Sequence, residues 1–267
     1  MKTLKVLAPL ALLAATTLSL SSCQEKANVE VKNEVSEATI SQIKALGFTA
    51  TGAQKVEGGV LVEGDILLTN EMLASKPDYS MVRVGQDEQY RTTNLVGGLP
   101  RTITIRVASS LPSAYITATD ELIRRYNAEN LQLRFSRVTS GGNIVLSAAP
   151  SGSSYLASAG FPSGGNPYGS VSVNSAAIGT ANATTYIATI LAHEVGHCIG
   201  FRHTDYMSRQ YSCGGSAVNE GASTVGAVYI PGTPSGPDPN SWMLACIGSG
   251  ANRPFNSNDR TALNYVY

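Results

Sequence analysis

The sequence predicts an α+β domain, set behind an export signal and a polar connecting segment. Three observations carry that reading. Residues 102–107 alternate apolar and polar, as a half-buried strand should. Ile187, Leu191 and Val195 recur every fourth residue, the stripe of a helix packed on a core. Beyond that helix the chain turns irregular, with Pro231-Gly232-Thr233-Pro234-Ser235-Gly236-Pro237 before a last short helical stretch. The order strand, helix, strands, helix, long loop, helix suits an α+β arrangement.

The N-terminal residues are set aside first. Lys2 and Lys5 precede an apolar run over residues 7–20, closed by Leu20-Ser21-Ser22-Cys23. This resembles the lipobox of bacterial lipoproteins, which implies that residues 1–22 are a signal peptide and that Cys23 is acylated. The alternatives are an ordinary signal peptide cut nearby or an N-terminal membrane helix, though the run is short for a span of about 20 apolar residues. The expected location is the bacterial cell envelope, lipid-anchored to a membrane on its periplasmic or cell-surface face.

The chain of 267 residues carries 19 basic and 19 acidic residues; without residues 1–22 the balance is 17 against 19, or −2. Such a surface has no basic field to attract nucleic acid. No internal repeat is visible, and a monomer is expected. If Cys23 carries lipid, then Cys198, Cys213 and Cys246 remain. An oxidising compartment allows one bridge and one free thiol among them, with the pairing open. No C-x-x-C spacing suggests a cysteine zinc site.

Residues 23–98 are expected to be a linker and candidate prosegment, and residues 99–267 the catalytic domain. Residues 24–40 read as a polar linker and residues 41–46 as a short helix. Residues 59–68 read as strand, turn, strand, with Glu63-Gly64-Asp65 on the turn. A polar stretch at 86–94 and Gly97-Gly98 mark a boundary. A helix follows at 116–128. Strands are expected at 131–135, 144–146 and 170–173, between glycine- and serine-rich loops. The second helix runs over about 184–199, capped by Asn182 or Thr184 and ended by Gly200. Residues 204–240 read as irregular, and 257–267 as a short helix with Asp259 in its first turn.

One segment carries the chemistry: His193-Glu194-Val195-Gly196-His197-Cys198-Ile199-Gly200-Phe201-Arg202-His203. It fits H-E-x-x-H-x-x-G-x-x-H at every specified position. A chance match in a chain of this size is on the order of one in a hundred thousand, treating residue types as independent. His193 and His197 lie one helical turn apart, so their rings project to a common point. Gly200 permits the helix to stop and the chain to turn, and His203 returns as a third ligand. Three imidazoles with one open position describe a catalytic zinc. All three histidines of the chain occupy these positions. Glu194, beside the first ligand, is placed to act as general base.

The motif is the metzincin signature. Residues 197–205 more closely resemble the bacterial dual-action HEIGH metallopeptidases, and residues 99–267 are consistent with that family. The resemblance implies a zincin/metzincin-like fold: a twisted mixed β-sheet, an active-site helix and a smaller irregular C-terminal subdomain. It implies one catalytic Zn2+, protein or peptide substrates bound as an extended strand, and a methionine turn beneath the metal. Met243, in Ser241-Trp242-Met243, fits that turn better than Met207. Astacin-like enzymes place a tyrosine two residues after the turn methionine; here that position is Ala245. Tyr206 and Tyr211 are candidates for substrate contact, and Thr204 and Asp205 for orienting the ligands.

These residues point to a zinc-dependent endopeptidase. Zinc lowers the pKa of a bound water to roughly 7 and polarises the scissile carbonyl. The rival readings are a surface lipoprotein that binds rather than cleaves through a degenerate zinc site, and a metal scavenger. An intact Glu194 argues against both. Asp65 is the candidate latency ligand, since a carboxylate can cap zinc and no cysteine lies between Cys23 and Cys198. The bland alternative for residues 24–98 is a small accessory domain.

Overall fold

The computed structural model describes residues 34–75, 89–206, 208–215, 227–234 and 236–267. The signal segment, Cys23 and Met207 lie outside the described residues. Helix α1 (Glu37–Ala45) begins at Ser36, whose Oγ accepts from Thr39 N at 3.2 Å. This serine cap starts the helix earlier than the polar composition of residues 24–40 suggests. Strands β1 (Gln54–Val56), β2 (Gly59–Val62) and β3 (Ile66–Thr69) form an antiparallel meander. A short α2 (Asn70–Ala74) follows, capped by Thr69.

The chain re-enters at β4 (Tyr90–Arg91), which pairs with the distant β10 (Val228–Tyr229). Tyr90 O also accepts from Arg202 N at 2.9 Å. The polar stretch expected as a boundary is therefore partly sheet, tied to the chain just past the second helix. Backbone pairing between remote segments explains why composition did not show it. Next come β5 (Arg101–Val107), α3 (Ala114–Ala128) and β6 (Leu133–Val138), a parallel pair with a helical crossover. Ile103 and Ile105 of β5 point into the core, as their alternation requires. Strands β7 (Ile144–Ala148), β8 (Ala157–Ala159) and β9 (Ser170–Val173) complete an eight-stranded sheet in the order β1-β2-β3-β8-β9-β7-β5-β6. It is a twisted, mixed sheet: β8 pairs antiparallel with β9, whereas β9, β7, β5 and β6 run parallel.

After α4 (Ser175–Ile178), helix α5 (Thr184–Cys198) packs beside α3 and against β8 and β9. Ala183 is its N-cap and makes no side-chain bond, while Asn182 instead donates to Ile178 O at 2.6 Å. Every residue from Tyr186 to Cys198 is buried. The apolar stripe underestimates this burial, because the C-terminal residues cover the face that the sheet leaves free. Those residues hold α6 (Gln210–Cys213), β10 and α7 (Ser257–Val266). Tyr267 at the chain end donates to Ile199 O, at the exit of α5, and accepts from Val96 N at 3.2 Å.

The apolar side chains divide into two clusters. One runs from Val96 to Tyr267 and includes the inner faces of β5–β9, α3 and α5. The other comprises Ile43, Phe48, Val60, Val62, Ile66, Leu68 and Leu73, joined by Phe161 alone from later in the chain. Among the described residues no helix is long and apolar enough to cross a membrane.

Of the cysteines left open by sequence, Cys213 and Cys246 form the disulfide, and Cys198 is a buried free thiol. The bridge closes a separation of 33 residues, for which chain entropy gives about 3–4 kcal/mol. Cys213→Ser with Cys246→Ser is expected to lose stability of that order, and reductant should then have no further effect. Denaturant melts of both forms, with and without reductant, check this; unchanged midpoints would show that the bridge contributes nothing.

Candidate metal centre

Helix α5 delivers His193 and His197 from adjacent turns. Gly200 then takes φ +111°, and a Cβ there would lie 2.8 Å from Leu95 Cδ2 and 3.0 Å from Asn94 O. Both the conformation and the space demand glycine. The chain turns, and His203 comes back toward the helix. The three Nε2 atoms converge at 3.1 Å (His193–His197), 3.3 Å (His197–His203) and 3.3 Å (His193–His203). Zinc–nitrogen bonds of about 2.0–2.1 Å at tetrahedral angles require nitrogens roughly 3.3 Å apart. The three rings therefore fit one zinc ion.

Backbone carbonyls orient two of the rings from behind. His193 Nδ1 donates to Trp242 O at 2.9 Å, and His197 Nδ1 to Phe201 O at 2.7 Å. This choice of tautomer leaves each Nε2 lone pair facing the centre. Burial, reinforced by the two neighbouring rings, pushes His197 well below its usual pKa, so the ring is neutral and able to ligate. Behind His203, Glu63 Oε2 lies 3.9 Å from Nδ1.

The fourth side of the site is closed by Asp65. Its Oδ2 lies 3.2 Å from His203 Nε2 and 3.4 Å from His193 Nε2. All four donor atoms fall within 4.8 Å of one another. Burial works to raise this carboxyl, but His203 and His193 outweigh it and hold it well below the usual carboxylate range. Among the described residues Asp65 Oδ1 has no hydrogen-bond partner.

Glu194 is buried beside the centre, and its Oε2 likewise lacks a partner among the described residues. Burial first, and then the Asp65 charge, push its carboxyl well above its ordinary value. A cavity of ≈ 260 Å³ opens in front, lined by Asp65, Ile190, His193, Glu194, Arg209 and Arg253 among others.

Met243 is fully buried beneath the helix. A Cβ on Gly196 would lie 2.6 Å from Met243 Sδ and 3.1 Å from Trp242 Nε1, so the glycine inside the motif makes room for the turn. Met243 O accepts from Thr204 N at 3.0 Å, which ties the turn to the residue after His203. Asp259 holds it from below: its carboxylate accepts from Ser241 Oγ at 2.9 Å, Trp242 N at 3.2 Å and Gln89 Nε2 at 2.9 Å. Burial pushes Asp259 up to about 6. Asp205 points to the disulfide side of the site. It accepts from Ala245 N at 2.9 Å and from Ser212 Oγ, next to the disulfide. Tyr206 is buried against Tyr90 at 4.5 Å, while Tyr211 is exposed.

Sequence reasoning missed four parts of the site: the Trp242 and Phe201 carbonyls, the Asp259 brace, and the pairing of Glu63 with Arg202. Only Asp259 left a signal. It stands three residues after Asn256 and completes a capping box with it.

The profile of the dual-action HEIGH metallopeptidases matches residues 60–267. No curated protein matches the chain. Solved structures of similar fold include two of myroilysin. One has a TM-score of 0.42 at 13% identity, covering 65% of this chain and 96% of that one. The other has a TM-score of 0.40 at 13% identity, covering 66% and 86%. High choriolytic enzyme 1, a hatching enzyme zinc-protease from the medaka fish Oryzias latipes, is similar with a TM-score of 0.33 at 14% identity, covering 61% and 88%.

The close approach at Gly196 generates a prediction. Gly196→Ala gains about 1 kcal/mol of helix propensity, but the added methyl must displace Met243 in a packed core, at a typical cost of 1–3 kcal/mol. The expected net result is lower stability and about tenfold weaker zinc binding. Metal titration against a competing chelator, alongside thermal melts, measures both. A variant that gained stability and kept its zinc affinity would show that the turn does not support the site.

Proposed function

We propose that this chain, which belongs to the dual-action HEIGH metallopeptidase family and is a zinc metallopeptidase, is an exported, lipid-anchored endopeptidase with Glu194 as its general base. The observation that best supports the role of Glu194 is its position: buried beside the three converging imidazoles and lining the cavity in front of them. A cavity of ≈ 260 Å³ lined by Glu194, His193 and Asp65 gives a peptide and a water room beside that carboxyl once Asp65 is withdrawn.

Zinc, when bound, lowers the pKa of water to roughly 7 and polarises a carbonyl. His193, His197 and His203 would hold the ion, and the carbonyls of Trp242 and Phe201 keep the first two rings aimed. Glu194 takes the proton from water as it attacks the scissile carbonyl, then delivers that proton to the leaving amine. Met243 supplies an apolar floor that excludes water from behind. The substrate would add as an extended strand to the side of β8 that β3 occupies here, where backbone hydrogen bonds recognise any peptide and the adjoining cavity selects a side chain.

The base is tested by Glu194→Gln, which is expected to keep one zinc per chain while peptide turnover falls by about 10²–10⁴. Metal analysis and casein cleavage read the two effects, and chelator should abolish cleavage in the parent chain. Retained turnover in the zinc-loaded variant would remove Glu194 from the mechanism.

Export rests on Lys2, Lys5, the apolar run and the Leu20-Ser21-Ser22-Cys23 box. Acylation is the anchor this segment implies. Cys23→Ala should therefore move the protein from the detergent phase to the aqueous phase of fractionated cells. An unchanged distribution would reject the lipobox.

A further inference from the structure

Residues 34–75 bring Asp65 against His193 and His203 and lay β3 along β8. Building on the zinc peptidase reading, we propose that they form a latency segment: Asp65 caps the zinc, and a buried Glu63–Arg202 ion pair seats it there. Four independent observations point the same way.

The first is the geometry of the cap. Histidine nitrogens and Asp65 Oδ2 are separated by 3.1, 3.3, 3.3, 3.2 and 3.4 Å along the five measured edges. These are the edges of a tetrahedron sized for zinc bonds of about 2.0–2.1 Å. Asp65 therefore takes the position that a catalytic site must leave open for water.

The second is the covered edge. Strand β3 pairs in parallel with β8 through Ile66 and Ala159, and Ala159 N donates to Asp65 O at 3.0 Å. Without β3, β8 would be the end strand of the sheet. The chain's own strand thus lies where an extended substrate would add.

The third is the division of the core. Every member of the larger cluster lies at Val96 or later, so the catalytic core is complete without residues 34–75. The smaller cluster belongs to that segment except for Phe161. A segment with its own core can leave without opening a cavity in the larger one.

The fourth is the latch. Arg202 stands within the histidine motif, and its side chain is 0% exposed. Its hydrogen-bond partners among the described residues come from the segment: Glu63 Oε1 at 3.1 Å, Glu63 Oε2 at 3.3 Å and Gly47 O at 3.4 Å; the guanidinium lies against the Phe48 ring 4.1 Å away and the Tyr206 ring at 5.3 Å. Glu63 pays for this contact with a φ of +53°, which is unfavourable for a residue bearing a Cβ. Gly64 follows at φ +90°, and a Cβ there would meet Arg209 Nη2 at 2.4 Å. The strained turn and the ion pair together aim the Asp65 carboxylate. Undocking returns both charges to water, so neither is stranded.

The test uses the zinc-loaded full chain in detergent, in a Glu194→Gln background that prevents self-digestion, with acetohydroxamate as a small zinc-binding probe. If the segment is docked about 99% of the time, the probe binds about 100-fold more weakly than to an open site. Asp65→Ala and the isosteric Asp65→Asn are expected to recover that affinity by calorimetry. Glu63→Gln, which leaves the carboxylate in place, should recover part of it, about tenfold. With Glu194 restored, the same three changes should raise peptide turnover in the same order. Equal probe binding in the parent and both Asp65 variants, each holding one zinc, overturns the proposal. So does loss of zinc from the Asp65 variants, because the carboxylate would then be a permanent structural ligand. A parent chain that holds no zinc would instead defeat the zinc peptidase reading on which this one rests.

Discussion

Three imidazole lone pairs must meet at one point, and most of the molecule is arranged around that demand. Neutral rings packed with their acceptor nitrogens 3.1–3.3 Å apart repel one another and are buried away from water. Only a cation between them repays both costs. A single helix can supply two such rings. The third requires the helix to end within one turn, which is why Gly200 adopts a conformation that few other residues accept. Everything beneath follows from holding this geometry still: the carbonyls of Trp242 and Phe201 aim the rings, Met243 fills the space under Gly196, and Asp259 fastens the turn that carries them.

The same centre explains the charge pattern nearby. An isolated carboxylate at the Asp65 position would be expensive to bury, yet its side chain is only 13% exposed. Its interactions with His203 and His193 outweigh that burial and hold the carboxyl well below the usual carboxylate range. Glu194 experiences the opposite effect, being buried and facing another anion. Two carboxylates within one small site are thus driven apart in basicity by their surroundings rather than by their type.

Segregation of the apolar side chains has a mechanical consequence. The larger core joins β5–β9, α3 and α5 through contacts that cross much of the sequence, and its final member, Tyr267, ties the chain end to the exit of α5. The smaller core depends on contacts within residues 43–73 and touches the rest chiefly through Phe161, the Arg202 pair and one edge of β8. Apart from Phe161 these links are polar, and polar links, unlike a shared apolar core, can be exchanged for water at modest cost.

Much of the metal centre was legible in the sequence because its geometry is local. Residues four apart on a helix share a face whatever the fold, and a glycine followed three residues later by a histidine turns the chain back over a short distance. The alternation in residues 102–107 and the Glu63-Gly64-Asp65 turn were readable for the same reason, since each depends on neighbours in sequence. The tertiary structure alone decided where Asp65 lies relative to His203, 138 residues away. It also decided that Glu63 meets Arg202, that Cys213 rather than Cys198 pairs with Cys246, and that β4 finds β10. Such contacts depend on which strands become neighbours in the sheet and in what register. A shift of one residue turns a side chain to the opposite face, so no property of the local sequence could determine them.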